Sequence, residues 1–215
     1  KRRFDSEGGE LGDLLGEIES NDVFFDIGAN TGLYSLFVAK RCSTTTVVAF
    51  EPYPPNVNLL KRDVSRNGLS NVEVRSEALS DSTGTVEFDQ PEKTDIGYGS
   101  ASIGTGSAKS HSTVEVAAKS GDELVSNDGV PMPTVIKIDV EGAEPLVIEG
   151  LKDTLSNADC RLVYCEIHQG NVEYRPSISD FEMTLADMKR RFEDFGFDVE
   201  ELQARGTEVL LKMTK

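Results

Sequence analysis

The sequence predicts an α/β fold, a mostly parallel sheet with helices on both faces. Three observations carry that expectation. Short apolar runs rich in β-formers (residues 22–27, 46–50, 134–138 and 161–167) alternate with stretches of helical periodicity. Glycines or carboxylates stand directly after the strand ends, where such sheets bind ligands. The tail, residues 198–202 and 208–213 around Ala204-Arg205-Gly206-Thr207, reads as an antiparallel hairpin.

Taken in order, residues 22–27 form a buried strand that ends at Gly28. A helix over 31–41 follows, with Leu33, Leu36, Phe37 and Lys40 at helical spacing. Residues 46–50 are the second strand. Beyond Pro52, Pro54 and Pro55, the spacing of Val57, Leu60 and Val64 predicts a helix that Asn67-Gly68 stops. Residues 71–75 alternate as a third strand, and 84–88 pair as a hairpin with 112–117. Residues 94–112 are crowded with Gly, Ser, Thr and Ala and read as a mobile loop, a candidate lid over the substrate. The strand at 134–138 leads to a helix over 144–155, the strand at 161–167 to a long amphipathic helix over 179–195. Phe181, Leu185, Met188 and Phe192 share a face of that last helix.

Composition bounds the function. The 22 Lys+Arg against 38 Asp+Glu give a formal net charge of −16, which opposes binding to polyphosphate surfaces, so no nucleic-acid partner is expected. The charge is dispersed among apolar periodicity and reads as a solvated acidic surface suited to a salt-rich cytoplasm. No apolar run is long enough to span a bilayer. Cys42, Cys160 and Cys165 lack the spacing of zinc or redox sites and suit a reducing compartment, so the expected location is cytoplasmic. The expected organisation is a lead-in at residues 1–20 and a single domain over 21–215.

The first strand ends in Asp26-Ile27-Gly28-Ala29-Asn30-Thr31-Gly32. Glycines there let the backbone turn sharply at a helix start, while Asp26 would repel a pyrophosphate and attract an ammonium group. This G-x-N-x-G spacing departs from the dinucleotide fingerprint. Glu51, at the end of the second strand, is placed to accept both ribose hydroxyls. Lys137 and Asp139 share a face by period two, and Glu141 and Glu144 follow within the same turn. Glu144 reads as a helix N-terminal acid facing the dipole. The next strand ends in Glu166-Ile167-His168, which sets an imidazole beside Asp139 if the two strands pair. His111 lies in the glycine-rich loop.

The DIGANTG loop, the VVAFEP strand end and above all IKIDVEGAE followed by VYCEIH resemble an FkbM-type S-adenosylmethionine-dependent methyltransferase, from about Asp22 to His168. The resemblance implies a Rossmann-like class I methyltransferase fold: three layers, a seven-stranded mostly parallel sheet and a C-terminal antiparallel hairpin. It implies S-adenosyl-L-methionine as cofactor, with Asp26, Gly28, Asn30 and Gly32 around its methionine part and Glu51 on the ribose. Pro52 and Ala78 would meet the adenine edge, and Asp139 the far side of the methionine moiety.

The expected reaction is O-methylation of a hydroxyl on a small molecule or glycan, with Asp139, Glu141 or His168 as the base. No metal belongs to this expectation. The alternative role for those three residues is to bind a divalent ion that acidifies the acceptor hydroxyl. Two rival functions stand beside it: a nicotinamide-dependent oxidoreductase and a non-catalytic module that binds S-adenosylmethionine.

Overall fold

The structure is a computed structural model that describes residues 2–89, 113–170 and 176–215. Its strands are β1 (Val23–Ile27), β2 (Thr46–Phe50), β3 (Val72–Arg75), β4 (Ala78–Ser80), β5 (Gly84–Asp89), β6 (Thr113–Ser120), β7 (Val135–Ile138), β8 (Leu162–His168), β9 (Asp198–Arg205) and β10 (Glu208–Thr214). Its helices are α1 (Arg2–Glu17), α2 (Leu33–Arg41), α3 (Pro54–Arg66), α4 (Gly121–Ser126), α5 (Glu144–Glu149), α6 (Lys152–Ser156) and α7 (Leu185–Asp194). A seven-stranded sheet runs in the order β3-β2-β1-β7-β8-β10-β9. The first five strands are parallel, and β10 is antiparallel to both β8 and β9, so the expected sheet and terminal hairpin are both present. A second sheet, β4-β6-β5, contains the expected hairpin of residues 84–88 with 112–117, with residues 84–89 running antiparallel to 118–113.

Period-two alternation divides the large sheet between two cores. Phe25, Ile27, Ile136, Ile138, Val163, Cys165 and Ile167 face one side and pack with Leu124, Val147, Ile148, Leu155, Met188 and Phe192, that is, with α4 to α7. Phe24, Val47, Val135, Leu162 and Tyr164 face the other side with Leu14 of α1 and Tyr34, Val38 and Ala39 of α2. Ala49 meets Leu60 of α3 on that same side. On this second side, the same alternation carries Asp26, Lys137, Glu166 and His168 out to the carboxyl ends of the strands.

The lead-in contains α1, whose Leu14 is fully buried and whose Asp13 accepts a hydrogen bond from the Tyr164 hydroxyl. The structure corrects three helix expectations. The buried face of α2 is Tyr34, Ser35, Val38 and Ala39, with Phe37 and Lys40 in solvent, because Ser35 is drawn inward by Asp26. The helix expected over 144–155 is two short ones, α5 and α6. The Gly150 carbonyl between them is diverted to the Asp122 N–H (2.8 Å) and the Ser120 hydroxyl (3.0 Å). The helix expected over 179–195 is a 3-10 turn at Ile178–Phe181, a left-handed Glu182 (φ 56°), and then α7. Thr184 starts α7 afresh by accepting from the Asp187 N–H, while the Asp187 carboxylate takes the Thr184 N–H.

Candidate active site

The site grows from four adjacent strand ends. After β1 the chain turns through Gly28, whose N–H, together with that of Ala29, donates to the Phe50 carbonyl of β2 at 3.0 and 2.9 Å. Gly28 adopts φ +79°, and a Cβ there would lie 1.9 Å from the Asp139 carbonyl oxygen, so only glycine lets this loop close against the end of β7. Asn30 then donates its N–H to Glu51 Oε2 at 2.7 Å, and the Tyr53 N–H reaches Oε1 at 2.8 Å. The glycine loop and the acidic strand end thus form one unit. Burial pushes the Glu51 carboxyl up to about 7, against the pull of those two N–H donors.

Asp26 is 1% exposed. Its Oδ2 accepts from the Ser35 N–H (3.0 Å) and hydroxyl (2.5 Å), while Oδ1 is buried with no hydrogen-bond partner among the described residues, as is Asn30 Oδ1. Burial raises the Asp26 pKa despite nearby Lys137. Orphaned acceptor oxygens on a turn that opens a helix cost about 1–3 kcal/mol each and call for a ligand that brings donors. A free ammonium group would meet that demand beside Asp26 and Asn30, and the remaining lone pairs of Glu51 could accept from a ribose diol, so these residues fit S-adenosylmethionine. Pro52 follows Glu51, and Ala78 is buried in β4 against Tyr53, which sets the turn after β2 beside the second sheet. Gly32 opens α2 at φ +85°.

Behind this unit lies Lys137, its ammonium 3.1 Å from Asp139 Oδ2 and 4.5 Å from the centre of the Tyr34 ring. Burial works against that charge, but the carboxylates of Asp139 and Asp26 outweigh it and hold the pKa well above the usual value. Glu10 of α1 is buried in the same network, its pKa raised by that burial. Glu166 is pushed up to about 7 by burial and then by Asp139.

On β8, next to β7, His168 is 1% exposed. Its Nδ1 lies 2.7 Å from Glu144 Oε1, which also accepts the Gly142 N–H at 2.9 Å. Its Nε2 faces Glu141 Oε2 at 3.6 Å. Burial alone would lower the imidazole pKa, but the hydrogen bond and charge of Glu144, with Asp139 and Glu141, raise it to about 9. Ligand atoms of Asp139, Glu141 and His168 all lie within 4.8 Å of one another.

The structure therefore brings together Asp26, Gly28, Asn30 and Glu51 in one unit and Asp139, Glu141 and His168 in another, with Asp139 beside Gly28 as the link. His111 and the whole glycine-rich segment, residues 94–112, with its expected lid role, lie outside the described residues. Sequence reasoning missed Ser35, Glu10, Glu166 and the role of Glu144. Glu166 carried a usable signal, since it stands two residues before His168 on the same strand face. Glu144 carried none beyond its place at a helix start.

The family model described as the Methyltransferase FkbM domain matches residues 26–199. The chain is 35% identical over 158 residues to a hexuronic acid methyltransferase, AglP, of Haloferax volcanii, covering 73% of this chain and 60% of that protein. It is 26% identical over 180 residues to the 31-O-demethyl-FK506 methyltransferase FkbM of Streptomyces tacrolimicus, covering 71% of this chain and 67% of that one. The chain thus spans under two thirds of the length of the first relative. Among solved structures, TrmK of M. capricolum with S-adenosyl-homocysteine superposes with a TM-score of 0.54 at 11% identity, over 96% of this chain and 67% of that one, a likeness of fold alone. With the sheet order, the glycine loop and the family match in agreement, the chain belongs to the FkbM methyltransferase domain family and is a class I methyltransferase domain that uses S-adenosylmethionine.

Proposed function

We propose that this domain methylates an oxygen of an acidic sugar in a glycan. The observation that carries the reading is the placement of Asp139, Glu141 and His168 beside the cofactor loop, with ligand atoms within 4.8 Å of one another. The likeness to a hexuronic acid methyltransferase supports the acceptor class. Asp26, Gly28, Asn30 and Gly32 would hold the methionine part of the cofactor, Glu51 its ribose, Pro52 and Ala78 the adenine edge, and Asp139 the far side of the methionine part. When bound, S-adenosylmethionine supplies an electrophilic methyl group. The work of the chain is then to orient the acceptor oxygen in line and to take its proton.

His168, tied at Nδ1 to Glu144, would orient the acceptor oxygen through Nε2. Asp139, which pairs with Lys137, or Glu141 would receive the proton. The acidic surface and the cysteines Cys42, Cys160 and Cys165, all free, support a reducing, salt-rich cytoplasm as the working environment, as does the match to a haloarchaeal protein. No described helix is long and apolar enough to cross a membrane.

The test is incubation with S-adenosylmethionine and matched uronic-acid and neutral glycans in molar KCl, read by mass spectrometry for the gain of one methyl group. Mild alkaline hydrolysis then separates an ester from an ether. Methylation of uronic-acid glycans is expected. Preference for neutral sugars would overturn the acceptor class, and cofactor binding without any transfer would leave a non-catalytic module.

A further inference from the structure

We propose that Asp139, Glu141 and His168 form a three-ligand site for a divalent transition-metal ion, on the acceptor side of the cofactor pocket. The proposal rests on the methyltransferase reading and adds a ligand to it.

Two observations carry it independently. The first is the ligand set, two carboxylate oxygens and one imidazole nitrogen from the ends of adjacent strands, within 4.8 Å of one another. Opposite ligands on one ion with bonds of about 2.1 Å are about 4.2 Å apart, so small side-chain rotations close the remaining gap. The 3.6 Å between His168 Nε2 and Glu141 Oε2 exceeds hydrogen-bond reach, yet corresponds to an angle of about 120° at a shared ion.

The second observation is how the imidazole is held. His168 is buried, and its Nδ1 is tied to the fully buried Glu144, whose same oxygen is fixed by the Gly142 N–H. Metal-bound histidines are oriented by such a carboxylate on the nitrogen away from the ion, which leaves Nε2 aimed at the ligand position. The backbone aims Glu141 as well. It sits at φ +54°, and Gly142 at φ +104° packs so closely that a Cβ would lie 2.1 Å from the Pro176 carbonyl.

The mixed nitrogen and oxygen set suits Mn²⁺, Fe²⁺ or Zn²⁺ better than the all-oxygen surroundings preferred by Ca²⁺. Three ligands leave positions open for the acceptor. An ion there would also offset the carboxylate charge that a uronic acid otherwise meets at Asp139, Glu141 and Glu166.

The test is titration of the metal-free protein with Mn²⁺ in molar KCl, followed by the loss of the free-ion electron paramagnetic resonance signal. One ion per chain is expected, with nitrogen modulation in its spin echo. Glu141→Gln, a change at a partly exposed position, should weaken binding at least tenfold, and His168→Gln should remove the nitrogen modulation. Absence of binding, or binding that Glu141→Gln leaves unchanged, overturns the site. Calorimetry with S-adenosylmethionine on the same samples separates the two readings. Cofactor binding without Mn²⁺ binding sinks the metal site alone, whereas failure to bind the cofactor sinks the methyltransferase reading.

Discussion

In its proposed role as the ribose acceptor, Glu51 would couple proton binding, cofactor affinity and stability. Its carboxyl, raised to about 7 by burial, is charged above that pH and neutral below it. Only the charged form offers every oxygen lone pair to a ribose diol, so affinity for S-adenosylmethionine should fall several-fold from about pH 8 to about pH 6. The free protein responds in the opposite sense. A carboxyl whose folded pKa lies above its unfolded value contributes stability that is full below about 4.5 and lost as pH rises through about 7. Calorimetry and thermal unfolding across this window should show the two opposing slopes, and Glu51→Ala should flatten both while weakening cofactor binding at least tenfold. Gly28 has no such freedom. Gly28→Ala forces a Cβ onto the Asp139 carbonyl at positive φ and should cost at least about 2 kcal/mol in chemical denaturation. An undiminished midpoint would show that the loop can move away.

At the scale of elements, strands were more legible than helices. A buried strand in a parallel sheet is written as a local apolar run, and β1, β2, β7 and β8 fall within a residue of their expected bounds. Helix limits depend on where single carbonyls and caps are spent. The spacing of Phe181, Leu185, Met188 and Phe192 runs unbroken in sequence, but the left-handed Glu182 divides it and Thr184 begins again. Thr184→Ala should therefore cost about 1 kcal/mol, read as a lower denaturation midpoint. The helix α1 left little trace in the sequence, being rich in glycine and acid, and its value comes from tertiary contact. Leu14→Ala removes a fully buried side chain between α1 and the sheet and should cost about 2–5 kcal/mol. A loss under half of that would mean that α1 docks weakly, and Glu10 with it.

Over the whole molecule, the gathering of the candidate site residues was readable because parallel strands bring their carboxyl ends together, so residues far apart in sequence meet by topology alone. Asp26, Glu51, Asp139 and His168 each follow from that rule. Glu10 and Glu144 do not, since they enter from helices whose docking no local pattern encodes. The net charge of −16 acts at this scale too. Self-repulsion over a surface so acidic is screened within about 8–10 Å at ordinary ionic strength and within about 3 Å at molar salt. The unfolding temperature should thus rise steadily as KCl increases, and a flat profile would remove the salt-rich setting from the proposal. The two-sided sheet carries a last consequence. In β8, the letters that build the core and the letters that do the chemistry are interleaved one by one. Inserting a single residue before Tyr164 would send Glu166 and His168 into the apolar layer beneath α4 to α7 and turn Cys165 and Ile167 toward the site. This strand can accept substitutions singly, but it has no tolerance for a change of reading frame in space, and one inserted residue would abolish fold and catalysis together.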